Sequence, residues 1–390
     1  MEKRKDFLAY CLPCYDENEL NGIKEAITTN WWSRGPKVAE FEKQFCEYVG
    51  AKYGVALNSC TAGLHLGLKV LGVGEGDEVI TTPMTFCATA NTIVHCGGTP
   101  VFADVDPETG LIDPDEIEKK ITPKTKGIVP VHYAGRACDM DRINAIAKKH
   151  GLFVMEDCAH AVYTTYANGK MVGDSDNLCS FSFYATKNLA TGEGGMITTN
   201  NEELYKKATV LALHGMSKNA WNRFAKGGSW RYDVVEAGFK YNLTDPAAAL
   251  GLAQLKKMQS MQDTREKYAK IYNDAFDKID GIDYLPDSTW GRNAWHLYMI
   301  KVRKNKFTID RDEFIEILRD EYNVGISVHY IPVHYHPFYQ ENFGTKEGDY
   351  PNAEAFFDEI ISIPLYPSMS EEDVIYVSEA VAEIARKYAK

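Results

Sequence analysis

No cysteine follows Cys179 in this chain of 390 residues, and the nine from Cys11 to Cys179 are an odd number. A chain this long needs no disulfide staples, so reduced thiols are the expectation. Cys11-Leu-Pro-Cys14 stands as a single Cys-x-x-Cys pair without a second pair or a nearby histidine cluster, and no metal site is expected there. Long apolar runs are also missing: nothing approaches the roughly 18 apolar residues of a membrane span. The charged opening, Met1 to Asp6, has no apolar core after it, so no secretory signal is expected and the protein reads as cytoplasmic. Positive charge is in deficit, with 43 Lys and Arg against 55 Asp and Glu and a net charge of −12. That balance argues against nucleic acid or an anionic membrane as partner, and any phosphate must be held by a local pocket. There is no Walker motif, internal repeat or low-complexity tract. Gly72-Val-Gly-Glu-Gly76 resembles a dinucleotide fingerprint only superficially, because it follows a helix rather than a strand.

What remains is an ordinary globular composition, 45% apolar and 25% charged, long enough for two domains. From residue 53, short apolar runs alternate with amphipathic stretches of helical length. Tyr53 to Leu57, Glu78 to Thr82, Pro100 to Val105, Gly127 to His132 and Leu152 to Asp157 read as buried strands. Ala62 to Leu71, Phe86 to Cys96, Pro114 to Ile121 and Met140 to His150 read as the helices between them. This alternation predicts an α/β layer with a largely parallel sheet, whose ligands bind at the carboxyl ends of the strands. After Thr199 the pattern turns helical: Glu202 to Leu213, then one long helix from Asp245 to about Ala275, its start marked by Thr244-Asp245-Pro246. Ala294 to Val302 and Val324 to Tyr330 read as strands, Arg311 to Glu321 and Glu371 to Tyr388 as helices of a smaller α+β unit. The expected domains are 1–255 and 256–390.

The stretch that organises the chain runs from Cys179 to Thr199. An apolar run, Leu178 to Tyr184, leads to Lys187, and the turn Gly192-Glu-Gly-Gly195 feeds a second run. A lysine held between buried strands is useful where its amine must lose its proton, as in a Schiff base. Asp157, in Glu156-Asp-Cys-Ala-His160, ends a strongly apolar strand, where a carboxylate needs a cationic partner. Asn58-Ser59-Cys60-Thr61 opens a helix whose free N–H groups and hydroxyls suit a phosphate. Phe86 is placed to stack on a flat ring, and Ser182 to offer a hydroxyl. An amine, a carboxylate, an aromatic face and a phosphate cradle together match pyridoxal phosphate.

These motifs resemble the DegT/DnrJ/EryC1/StrS family of sugar aminotransferases. The resemblance runs from Gly35-Pro36 to the last helix and rests on Ser182-Phe-Tyr-Ala-Thr-Lys187-Asn, Gly192-Glu-Gly-Gly195 and Glu156-Asp-Cys-Ala-His160. Pro130-Val-His-Tyr-Ala-Gly135, Phe239-Lys-Tyr-Asn-Leu-Thr-Asp245 and Ala294-Trp-His-Leu297 look like the branch that aminates UDP-4-keto sugars, of the lipid A aminoarabinose type. Cys60 and Cys158 stand where related proteins often have small residues. The resemblance implies an aspartate-aminotransferase-like fold and a homodimer with shared active sites. It implies Lys187 as cofactor-bearing base, Asp157 on the pyridine nitrogen, His160 near the phenolic oxygen, Phe86 over the ring, Thr61 and Ser182 on the phosphate, with Ser59 and Cys60 beside them. Asn242 would reach the neighbouring subunit's phosphate.

The implied reaction takes an amino group from L-glutamate, leaving 2-oxoglutarate, through pyridoxamine phosphate to a keto sugar. Between Leu213 and Tyr232, Lys218, Arg223, Lys226 and Arg231 stand among Trp221, Phe224 and Trp230 with no acid, an island suited to a nucleotide diphosphate. His329, beside Tyr330, is favoured over His334 and His336 as a sugar contact, and substrate over metal as the role of that run. Alternatives are a 3-keto-sugar or cyclitol aminotransferase, a dehydratase, or a cofactor-binding regulator without turnover.

Overall fold

In the computed structural model, residues 2–216 and 232–390 are described. Seven strands form the larger sheet: β1 (Tyr53–Leu57), β2 (Glu78–Thr81), β3 (Thr99–Phe102), β4 (Thr125–Val129), β5 (Phe153–Asp157), β6 (Leu178–Ser182) and β7 (Gly195–Thr199). Their order is β1-β7-β6-β5-β4-β2-β3. β3, β2, β4, β5 and β6 pair in parallel, and β7 pairs antiparallel with both neighbours. The apolar continuity of these strands follows from helices covering both faces of the sheet. Crossovers of this kind put the carboxyl ends of the parallel strands on one edge, which is where Asp157 and Ser182 lie.

The helix Cys60–Val70 starts where the sequence changes from alternating to helical apolar spacing, with the Ser59 hydroxyl accepting the Ala62 N–H at 3.0 Å. It buries Leu64, Leu66, Leu68 and Val70 against the sheet. On the other face, Phe41 and Phe45 of the helix Pro36–Val49 meet Phe181 and Phe183 edge to face, with centroids about 5 Å apart. Neither this helix nor Glu17–Thr28 before it is anticipated above. The second carries a readable signal, the capping box of Asp16 and Glu19.

A smaller antiparallel sheet, order β10-β9-β8, is built from β8 (Ile282–Tyr284), β9 (Tyr298–Val302) and β10 (Ile360–Ile363). It packs with the helices Met258–Phe276, Arg311–Tyr322 and Glu371–Lys387 around Tyr272, Phe276, Phe314, Val377 and Val381. Leu8 belongs to this core too, bridged to Val324.

Two expectations need correction. The long helix is two helices, Asp245–Lys256 and Met258–Phe276, broken at Lys257 with φ −108° and ψ 9°. The first packs on the N-terminal helices and the second in the smaller core, while the Lys257 amine is tied to Glu19 at 2.7 Å. Two separate packing targets override one continuous helical pattern. Val324 to Tyr330 forms no strand: only Val324 and Ser327 make isolated bridges, and the rest leaves the sheet to carry His329 and Tyr330 towards the site. Among the described residues no helix is long and apolar enough to cross a membrane.

Candidate active site

A cavity of about 480 Å³ opens at the carboxyl ends of the parallel strands. One wall is the start of the helix Cys60–Val70. Gly195 lets β7 reach it: a Cβ there would lie 2.5 Å from the Ser59 carbonyl carbon and 2.6 Å from the Cys60 nitrogen. Ser182, paired with Gly195 in register, therefore sits beside Ser59 and Thr61. The Cys60 thiol turns away to Ser180, 3.5 Å from its carbonyl oxygen.

The loop bearing Lys187 is pinned at both ends. Phe183 N–H donates to the Gly194 carbonyl at 2.9 Å and Thr191 N–H to the Phe183 carbonyl at 2.8 Å, while the Phe183 ring anchors the turn in the aromatic cluster. Asn188 donates to the Ala294 carbonyl at 2.8 Å and accepts from His296 Nδ1 at 3.0 Å. Lys187 is left facing the cavity. Burial pushes its amine down to about 8, against the pull of Cys60, Asp157 and Cys11. An amine so placed gives up its proton far more readily than an exposed lysine.

Asp157 ends β5. Its Oδ2 accepts the Thr89 hydroxyl at 2.8 Å and its Oδ1 the Ala159 N–H at 3.0 Å. Burial holds the carboxyl above its ordinary range although these bonds and Lys187 draw it down. A cationic group entering the cavity would reverse that.

His160 lies three residues beyond Asp157. Ala134, at φ 60°, aims its N–H at His160 Nδ1 at 3.2 Å. The ring's proton is thereby assigned to Nε2, which donates to the Tyr330 hydroxyl at 3.0 Å. Burial holds His160 neutral by lowering its pKa well below the usual range. Phe86 stands 57% exposed at the mouth, its ring 5.8 Å from that of Tyr330. His329 lines the same cavity, its Nδ1 2.8 Å from the Ser362 hydroxyl, and burial lowers its pKa to about 3.

Of the residues singled out in the sequence, Ser59, Cys60, Thr61, Phe86, Asp157, His160, Ser182, Lys187, His329 and Tyr330 all line this cavity. Asn242 does not: its backbone bridges Leu57 and its amide donates to the Leu243 carbonyl at 3.0 Å. Arg231 and the rest of the basic, aromatic island lie outside the described residues. His334 is buried elsewhere, 2.9 Å from Glu354. The sequence reading missed Thr85, Thr89, Tyr184 and Glu193 in the lining.

The family model described as the DegT/DnrJ/EryC1/StrS aminotransferase family matches residues 13–382. The spore coat polysaccharide biosynthesis protein SpsC of Bacillus subtilis is 54% identical over 388 residues, covering 99% of each chain. Among solved structures, the putative sugar aminotransferase Spr1654 of Streptococcus pneumoniae in its PMP form superposes with a TM-score of 0.91 at 35% identity, covering 97% of this chain and 99% of its own. Helicobacter pylori PseC, an aminotransferase involved in the biosynthesis of pseudoaminic acid, gives 0.90 at 31% identity, covering 98% and 100%. The fold is the aspartate-aminotransferase-like arrangement, and with most of its length matched the chain belongs to the DegT/DnrJ/EryC1/StrS aminotransferase family.

Proposed function

We propose that this sugar aminotransferase converts a nucleotide-linked 4-keto sugar, of the UDP class, to the 4-amino sugar, with L-glutamate as amino donor. The observation that carries the reading is the convergence of the Lys187 amine and the Asp157 carboxylate, both buried, on one cavity. The enzyme is pyridoxal phosphate dependent, and the residues fit that cofactor. A Cβ at Gly195 would close the hydroxyl-lined cradle at the helix start, and Asp157 has neutral donors only in direct hydrogen bonds. When bound, the cofactor supplies an electron sink for the carbanion formed at the donor's α-carbon.

The chain's own residues supply the rest. Lys187 Nζ, which gives up its proton more readily than an ordinary lysine, takes the α-proton of the donor in its unprotonated form and returns it on the other side of the transfer. Asp157 holds the proton on the ring nitrogen by its charge. Ser59, Thr61 and Ser182, with the N–H groups of the helix start, hold the phosphate. Phe86, in the cavity lining, would offer its ring to one face of the cofactor. His160 fixes the Tyr330 hydroxyl, which with His329 contacts the sugar. Arg231 receives the nucleotide diphosphate.

The division into a cofactor-binding unit and a smaller unit falls near residue 256, at the helix break. The working form is a homodimer in which Asn242 reaches the partner's phosphate, a reading supported by its place outside its own cavity.

Support for a sugar acceptor comes from the relatives, named for polysaccharide biosynthesis, for sugar amination and for the biosynthesis of pseudoaminic acid. The test is a panel of nucleotide keto sugars incubated with glutamate and read by mass spectrometry, alongside the visible absorbance of the protein. A UDP-4-amino sugar formed in step with 2-oxoglutarate is the expected result. Colour that never responds to glutamate with any UDP-4-keto sugar present refutes the proposal.

A further inference from the structure

Asp157 is gripped by a short chain of hydroxyls. Thr89 Oγ1 lies 2.8 Å from Asp157 Oδ2 and also 2.8 Å from Thr85 Oγ1. A hydroxyl owns one proton and an ionised carboxylate has none to give. Thr89 therefore donates to Asp157, and Thr85 must donate to Thr89. The two O–H dipoles line up head to tail and point at the carboxylate. Thr85, Thr89 and Asp157 are 2%, 1% and 4% exposed, so little of this hydroxyl chain is open to bulk water. Thr89 lies in the first turn of the helix Cys87–His95 and Thr85 just before its N-cap Phe86, so the chain entering the helix brings the two hydroxyls together.

We propose that Thr85 and Thr89 form a hydroxyl relay that keeps Asp157 ionised and aimed into the cavity, so that Thr89 is a positioning residue for the cofactor's ring nitrogen. The inference rests on the assignment of Asp157 to that nitrogen.

Burial opposes the charge on Asp157, and the surrounding groups divide. Lys187, from the loop after β6, and His132, after β4, favour the ionised form. Cys60 at the helix start, Cys158 next along the chain and Tyr330 from the smaller unit are themselves held protonated, partly by this carboxylate. Thr89 is the foremost of the groups that favour ionisation, and a hydrogen bond to a charged group is among the stronger ones a protein makes. The relay polarises this bond further, because Thr89, the donor to Asp157, itself accepts from Thr85. A carboxylate held ionised in advance pays no ionisation cost when it meets a protonated heterocycle.

The test uses the full chain with Thr89→Val, Thr89→Ser and Thr85→Val. Two quantities are read: the infrared titration of the Asp157 carboxyl in the apoprotein, with Asp157→Asn as the blank, and the dissociation constants of pyridoxal and pyridoxamine phosphate. Thr89→Val should raise the titration midpoint by about one pH unit or more and weaken cofactor binding roughly ten- to a hundredfold. Thr89→Ser, which keeps the hydroxyl, should restore both. Thr85→Val, which touches Asp157 only through Thr89, should move both in the same direction by less. An unmoved titration in Thr89→Val and Thr85→Val, with Asp157→Asn still losing the cofactor, overturns the relay alone and leaves Thr89 as packing. An Asp157→Asn protein that binds the cofactor as tightly as the parent overturns the assignment of Asp157, and the inference with it.

Discussion

Lys187 is costly to keep where it is. Its amine falls from an ordinary lysine value of 10.5 to about 8 on folding, so the unfolded chain binds its proton more tightly than the folded one. In that sense stability is withheld below pH 8 and regained as pH rises from 8 to 10.5. The Lys187→Met apoprotein should therefore be more stable than the parent by roughly 3 kcal/mol at pH 7, an advantage that shrinks towards pH 10.5. Denaturant unfolding of both apoproteins at pH 7 and pH 10 checks this, and an equal difference at both values would mean the amine is not held near 8. For function, Lys187→Ala should lose turnover by roughly four orders of magnitude while still binding pyridoxamine phosphate, as followed by stopped assay and equilibrium dialysis. Asp157→Asn should fold and lose roughly a thousandfold in rate; near-normal turnover would displace it from the ring nitrogen. At this scale the sequence was readable wherever a residue type was out of place, such as a lysine or an acid at the end of an apolar run. Thr85 and Thr89 were not, because a threonine is ordinary anywhere and only the approach of the helix to β5 gives it a partner.

Helices in this chain are fastened by residues far from them in sequence. Thr244-Asp245-Pro246 announces the helix Asp245–Lys256, yet neither Thr244 nor Asp245 caps it through a side chain. Asp245 Oδ1 instead accepts the N–H groups of Gly35 at 2.8 Å and Val38 at 3.1 Å, and Oδ2 that of Lys37 at 3.1 Å. It thus caps the helix Pro36–Val49, whose Gly35 has no side chain to do so. Asp245→Ala should cost about 3 kcal/mol, since it strands several donors at a buried helix start. Urea unfolding would measure it, and a loss under about 0.5 kcal/mol, the ordinary range of surface changes, would show that water replaces the carboxylate. The local signal for a helix start was present, but the side chain's destination was a tertiary matter. The break at Lys257 has the same origin, for it separates two packing surfaces that a helical period cannot distinguish.

For the whole molecule, the arrangement of Asn242 predicts complementation. Asn242→Ala and Lys187→Ala proteins, each inactive or nearly so, should regain up to about a quarter of parental activity when unfolded together and refolded as mixed dimers. No recovery, with mixed dimers demonstrated by mass spectrometry, would place Asn242 outside the partner's site. The alternation of strand and helix from residue 53 onward, the lysine between apolar runs and the carboxylate at a strand end were determined by sequence alone, because side-chain period and the cost of burying charge act locally. Which hydroxyls face Asp157, which tautomer His160 takes, where the 245–276 segment breaks and that His329 and Tyr330 cross from the smaller unit were decided only by the tertiary structure. Those outcomes depend on distances between segments far apart in the chain, and hydrogen bonds and burial are set by such distances, whatever the spacing along the sequence.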